Sequence, residues 1–208
     1  MIVSSLADPP VRPGLVDRWT LLALRGGMEP ILCLNKVDLG SLEQAHREIE
    51  GASIHLHVVF LSAETGAGMA DLRASLSGRS TVLVGHSGVG KSSLLRKLLP
   101  HADALTGELS GKTRKGRHTT SSSRLYPLPE GGVLIDTPGV RSVVLGTTDA
   151  QEVAGVFHEI ASAPPCRFRP CSHRTEPGCT VLEGVSSGTI PESVYLRYRK
   201  LLEEVVLP

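Results

Sequence analysis

The sequence predicts an α/β fold: a mainly parallel sheet with joining helices, then a small helical C-terminal domain that carries a cluster of cysteines. Three observations predict it. Short apolar runs alternate with stretches of helical spacing through about the first 140 residues, which is the pattern of strands joined by helical crossovers. A glycine-rich turn at 85–90 stands between one such strand and a helix. Beyond about residue 150 the pattern changes to helix, cysteine-rich loop and helix.

Each element follows from local signals. Residues 2–6 are apolar enough for a short strand, and 12–26 have helical spacing that stops at Gly26-Gly27. The run 31–34 predicts a buried strand, 42–50 a helix ended by Gly51, 54–61 a strand and 69–76 a short helix. Residues 81–84 predict a compact buried strand and 91–99 the helix after the glycine-rich turn. The stretch 106–123 is rich in Gly, Ser, Thr, Lys and Arg and predicts a mobile loop. Residues 124–128 and 132–135 flank Pro129-Glu130-Gly131-Gly132 and predict a hairpin. The expected division is 1–150 for the first domain and 151–208 for the second, with no internal repeat.

Composition narrows the function classes. Forty per cent of the 208 residues are hydrophobic but only 3% are aromatic, so the core must be mostly aliphatic. The formal net charge is +1, so any nucleic-acid contact would come from local patches. No apolar stretch approaches the roughly 20 residues of a membrane span, and the opening residues carry no signal-peptide pattern. The expectation is a cytoplasmic monomer with no membrane association. Cys33 stands alone in an apolar run and is expected to pack in the core, whereas Cys166, Cys171 and Cys179 cluster with His173.

Gly85-His86-Ser87-Gly88-Val89-Gly90-Lys91-Ser92 has the spacing G-x-x-x-x-G-K-[ST] of a phosphate-binding loop, in the strand–loop–helix context that the motif needs. The glycines let backbone N–H groups and a helix N-terminus face an anion. In this reading Lys91 reaches the β- and γ-phosphates, Ser92 holds Mg²⁺, and Ser93 adds a hydroxyl to the α-phosphate. Asp136-Thr137-Pro138-Gly139 closes the strand before it. Asp136 suits Mg²⁺ coordination through water, and the Gly139 N–H suits the γ-phosphate.

Asn35-Lys36-Val37-Asp38 follows a buried run and suits a guanine reader. The Asp38 carboxylate can accept from guanine N1–H and the exocyclic amine, a donor pair that adenine lacks. Charge-assisted hydrogen bonds contribute roughly 1.5–3 kcal/mol each, so ATP is disfavoured. The Lys36 stem can cover one face of the base, and Asn35 can tie this loop to the phosphate loop. Ser62-Ala63 fits the backbone donor to the guanine carbonyl.

The motif order is base reader, Ser-Ala, phosphate loop, a loop at about 111–122, then Asp-Thr-Pro-Gly. Ordinary GTPases begin with the phosphate loop, so this order is a circular permutation of a P-loop GTPase domain. Together with Gly116-Arg117-His118-Thr119-Thr120 and Cys166-x4-Cys171-x-His173-x5-Cys179, it resembles the bacterial ribosome small-subunit-dependent GTPase A family. The resemblance runs from near residue 2 to the C-terminus. It implies GTP hydrolysis in late maturation of the small (30S) ribosomal subunit, with GTP, GDP, that subunit and its rRNA as partners. The family carries an oligonucleotide-binding barrel ahead of its GTPase domain, and this sequence reads as lacking one. The family more often has Gln where this chain has His86.

Many GTPases orient the attacking water with a Gln just after Asp-x-x-Gly. Here Val140-Arg141 stands there. His118 is the expected water-positioning group, with Arg117 as a charge-stabilising alternative, and Thr119 or Thr120 is expected on Mg²⁺. Cys166, Cys171, His173 and Cys179 form a Cys₃His set suited to one closed, structural Zn²⁺ per chain. Lys112, Arg114, Lys115 and Arg117 are RNA-contact candidates, as are Arg167, Arg169 and Arg174 beside the cysteines. Arg197, Arg199 and Lys200 in the last helix could also touch RNA, but a solvated helix face is the favoured reading for them. The alternative function is a GTP/GDP-dependent binding module or switch with negligible intrinsic hydrolysis.

Overall fold

A computed structural model describes residues 1–52, 54–100, 124–136 and 145–205. The expectations for 106–123, for Gly116 to Thr120 and for Gly139 to Arg141 lie outside the described residues. These include His118, Thr119, Thr120 and the basic residues Lys112, Arg114, Lys115 and Arg117. The chain divides into two compact units: Met1–Val11, Ile31–Ala45 and Val58–Ser142 form the first, and Arg12–Pro30, His46–His57 and Val143–Pro208 the second.

The first unit is built on a six-stranded sheet of order β3-β2-β1-β4-β6-β5. Its strands are β1 (Ile2–Ser5), β2 (Ile31–Asn35), β3 (His57–Phe60), β4 (Ser80–Gly85), β5 (Arg124–Pro127) and β6 (Val133–Asp136). β1 pairs in parallel with β2 and with β4, and β4 in parallel with β6, while β5 runs antiparallel to β6. The mainly parallel α/β sheet is thus as the sequence implied. β1 and β2 are buried along their whole length, as central parallel strands covered on both faces should be. The strand expected at 54–61 is shorter, because Ile54 N–H bonds back to the Ile49 carbonyl at 3.2 Å and continues the turn after a helix.

That helix is α2 (Leu42–Gly51); α3 (Met69–Leu76) and α4 (Lys91–Leu98) follow. Leu72 and Leu76 of α3 and Leu94 and Leu98 of α4 are spaced four apart, which puts each pair on one helix face. They join Val3, Cys33, Leu83 and Leu134 in one aliphatic core. Cys33 is fully buried there, and burial pushes its thiol up to about 12, so it is a packing residue.

The second unit contains α1 (Pro13–Arg25), α5 (Ala150–Ala154), α6 (His158–Ala161), α7 (Thr180–Ser187) and α8 (Glu192–Glu204). Pro13 at the first helical position suits α1, since its missing N–H needs no intrahelical partner. The helix stops where Gly27 takes φ +65° and Met28 N–H returns to the Ala23 carbonyl at 2.8 Å. Asp149 caps α5 and makes a reciprocal box with Glu152. Leu21 of α1 packs with Val153, Phe157, Val181, Val194, Tyr198 and Leu202 in a core of this unit's own.

Arg197 is not on a solvated face. Its Nε donates to buried Asp17 at 2.8 Å, and its Nη1 bonds the Ala52 carbonyl. Burial raises the Asp17 carboxyl to about 6 even though Arg197 opposes the shift. Among the described residues no helix is long and apolar enough to cross a membrane.

Candidate nucleotide site and zinc knot

Because β1, β2, β4 and β6 are parallel, their carboxyl ends share one edge of the sheet, where open α/β sheets bind ligands. β2 ends at Asn35, β4 at Gly85 and β6 at Asp136. The register sets Leu83 beside Asp136, so the acidic strand ends two residues before the phosphate-loop strand, on the same side of the sheet.

The phosphate loop needs its glycines for specific reasons. Gly85 has φ +151°, and a Cβ there would run into the Val3 carbonyl. Gly90 has φ +94°, and a Cβ there would occupy the place of the Asn35 amide nitrogen. That nitrogen donates to the buried Val89 carbonyl at 2.8 Å. The Asn35 amide oxygen accepts from Ala63 N–H at 2.9 Å. One buried side chain therefore ties the base-reading loop both to the phosphate loop and to Ser62-Ala63. Of the Ser62-Ala63 pair read as the backbone donor to the guanine carbonyl, the Ala63 N–H is bonded to Asn35 here.

Ser62 accepts from Thr65 N–H at 3.1 Å, which shapes the turn after β3. Lys36 is left-handed, with φ +61°, and its ammonium donates to the Asp8 carbonyl. The backbone then makes one 3-10 turn, Val37–Leu39, that leaves Asp38 exposed while Val37 is buried.

Lys91 opens α4 and folds over its own loop, donating to the Gly85 and His86 carbonyls at 2.7 Å each. Burial lowers the ammonium's pKa, and the charge of Asp136 works against that shift. A cation and a carboxylate that act on each other in this way suit a site that takes a phosphate chain and a divalent cation. Ser92 is exposed on the first turn of α4, and the Ser93 hydroxyl accepts from Arg96 at 3.2 Å. His86 Nδ1 lies 2.7 Å from the Ser87 carbonyl.

In the second unit, Cys166, Cys171, His173 and Cys179 place their ligand atoms within 4.8 Å of one another. Cys166 Sγ lies 3.8 Å from Cys179 Sγ and 3.5 Å from His173 Nδ1, and His173 Nδ1 lies 3.3 Å from Cys179 Sγ. A tetrahedron with Zn–S near 2.3 Å and Zn–N near 2.0–2.1 Å has edges of roughly 3.8 Å and roughly 3.6 Å. The residues present therefore fit Zn²⁺.

Surrounding groups hold the knot. Tyr195 and Tyr198 donate to the His173 and Ser172 carbonyls at 2.9 and 2.7 Å. Glu176, which sequence reasoning missed, accepts from Ser172 N–H and Oγ at 2.6 Å each, from Arg174 N–H at 2.8 Å and from Thr175 N–H at 3.0 Å. Burial alone would raise its pKa, but these hydrogen bonds outweigh it and hold the carboxyl well below the ordinary range. The only sequence signal for this role is that Glu176 is the one carboxylate between Cys171 and Cys179.

The family model for the RsgA GTPase matches residues 1–146. A protein of Vibrio vulnificus named small ribosomal subunit biogenesis GTPase RsgA 1 is 38% identical over 99% of this chain and 60% of its own length. A Haemophilus influenzae protein named small ribosomal subunit biogenesis GTPase RsgA is 38% identical over 99% of this chain and 61% of its own. The chain thus spans about three-fifths of these relatives. The crystal structure of YjeQ from Thermotoga maritima superposes with a TM-score of 0.76 at 30% identity, covering 98% of this chain and 69% of that one. YloQ, described as a circularly permuted GTPase, superposes with a TM-score of 0.71 at 27% identity, covering 98% and 66%. With the motif order and the sheet topology pointing the same way, the chain belongs to the RsgA GTPase family.

Proposed function

We propose that this chain binds GTP and GDP and hydrolyses GTP to GDP and phosphate in the maturation of the small ribosomal subunit, as a monomer in the cytoplasm. The observation that carries this reading is the Asn35 side chain. Its two hydrogen bonds gather the base reader, Ser62-Ala63 and the phosphate loop at one sheet edge. In this reading Asn35, Lys36, Asp38, Ser62 and Ala63 hold guanine. Residues 85–93 and Gly139 hold the phosphates. Ser92, Asp136 and either Thr119 or Thr120 hold Mg²⁺, which neutralises charge on the phosphate oxygens.

Hydrolysis transfers the γ-phosphoryl group to water: the water oxygen bonds to the γ-phosphorus, the P–O bond to the β-phosphate breaks with its electron pair leaving on GDP, and the water's proton passes to the released phosphate. Lys91 stabilises the charge that moves toward the β–γ bridge. His118 orients the water, since an imidazole can accept a hydrogen bond at neutral pH. The nucleotide function belongs to residues 1–150. Residues 151–208 hold a structural Zn²⁺, with Arg167, Arg169 and Arg174 around it as the candidates for rRNA contact.

The test is GTP turnover with and without purified small ribosomal subunits. The reading predicts slow turnover alone, faster turnover with subunits, and for His118→Ala a loss of at least about tenfold, roughly 1.4 kcal/mol, with GTP affinity kept. Tight GTP binding with no turnover under either condition would leave a nucleotide-dependent binding module instead.

A further inference from the structure

The residues proposed for the nucleotide stand at the ends of β2, β4 and β6 and just after β3. None stands at the end of β1, although β1 lies between the base-reading strand and the phosphate-loop strand. Adjacent strands are about 4.8 Å apart, so a base over β2 and phosphates over β4 are about 10 Å apart and the nucleotide must pass over the end of β1. What stands there is the loop 6–11.

This loop is anchored from both sides. Ser5, the last residue of β1 and fully buried, donates its hydroxyl to the Pro9 carbonyl at 2.7 Å. Leu6 N–H donates to the Asn35 carbonyl at 2.9 Å, so the loop leaves the sheet beside the residue preceding Lys36. The Lys36 ammonium then donates to the Asp8 carbonyl, one residue before the carbonyl that Ser5 holds. On the other flank, a Cβ on Gly88 of the phosphate loop would lie 3.4 Å from Pro9 Cδ. Lys36 needs such a tie: its backbone is left-handed, a conformation unfavourable for a side chain of this kind, and its long stem has many rotamers.

We propose that the loop after β1 is a positioning element for Lys36, and that Ser5 is the positioning residue which fixes it. Ser5 holds the Asp8-Pro9 backbone, that backbone holds the ammonium, and the held stem lies where it can cover the face of the base. The inference rests on the proposed role of Lys36 in base binding.

A double-mutant cycle on the full chain tests it, with GDP affinity read by titration of a fluorescent GDP and thermal midpoints recorded alongside. Lys36→Met keeps most of the stem and removes the ammonium. Each single change, Ser5→Ala or Lys36→Met, is expected to weaken GDP binding about fivefold, the worth of one net hydrogen bond. The double variant is expected to be no weaker than the worse single by more than about twofold, because both changes cut the same chain of contacts. A double variant about 25-fold weaker, the product of two independent losses, overturns the proposal. So does a Ser5→Ala protein with unchanged affinity while Lys36→Met is weakened. If Lys36→Met itself binds GDP normally, the base-covering role fails first and the inference goes with it. Should Ser5→Ala not fold, Ser5→Cys, close in volume and a far weaker donor, takes its place in the cycle.

Discussion

Replacing Asn35 is the sharpest single perturbation of the proposed nucleotide site. Asn35 is 2% exposed, and its amide makes both hydrogen bonds that join the loops, to the Val89 carbonyl at 2.8 Å and from Ala63 N–H at 2.9 Å. Asn35→Ala removes both at once and leaves a buried acceptor and a buried donor without a partner. Each such group costs about 1–3 kcal/mol, so the combined loss is about 2–6 kcal/mol, less where water enters the gap. Against a typical total stability of about 5–15 kcal/mol, that is a large share.

Asn35→Asp separates the two bonds. The carboxylate still accepts from Ala63 but has no hydrogen to give Val89, and it turns a negative oxygen toward that carbonyl. Its cost should approach that of alanine despite identical shape. Urea unfolding gives the stability change, and GDP titration gives the effect on the site. A loss below about 1 kcal/mol for Asn35→Ala together with unchanged GDP affinity would refute the bracing argument.

Two further outcomes are expected in the second unit. Cys171→Ser should abolish stoichiometric zinc in protein purified without chelators and loosen residues 166–180 in hydrogen exchange, since metal binding and local folding are coupled; a variant that retains one zinc per chain contradicts the ligand set. Asp17 gives a pH signature. Its carboxyl is raised from 3.8 to about 6, so the native state binds that proton more tightly than the unfolded chain does. The resulting stabilisation is fully present below about pH 4 and lost as pH rises through about 6. Asp17→Asn should therefore gain relative to wild type by an amount of the order of 2 kcal/mol between pH 4 and pH 7 in urea unfolding. A stability difference that stays flat across that range contradicts the burial argument.

Much of this architecture was legible because its signals are local. The helix at 69–76 and the hairpin around Pro129 to Gly132 follow from spacing and turn residues within a dozen positions. The phosphate loop and Cys166, Cys171, His173 and Cys179 are likewise short patterns whose chemistry demands those residue types. What escaped is set by long-range packing. Arg197 sits on a helix with the composition of a solvated face, yet its partner Asp17 is 180 positions away and buried on α1. Glu176 lies in a plain Thr-Glu-Pro-Gly turn and organises the knot through backbone N–H groups, which carry no residue code. Ser5 and the loop after β1 match no motif, and their place between two motif-bearing strands emerges only from the sheet order.

The most direct test of the central claim is the choice of base. With Mg²⁺ present, GDP and ADP affinities should differ by at least about a hundredfold, as expected when two charge-assisted hydrogen bonds to Asp38 are lost. Asp38→Asn should reverse the preference toward xanthosine diphosphate, because an amide can donate to the xanthine carbonyl where the carboxylate could only accept. Equal binding of GDP and ADP by the unaltered chain would contradict the assignment of residues 35–38 as a guanine reader.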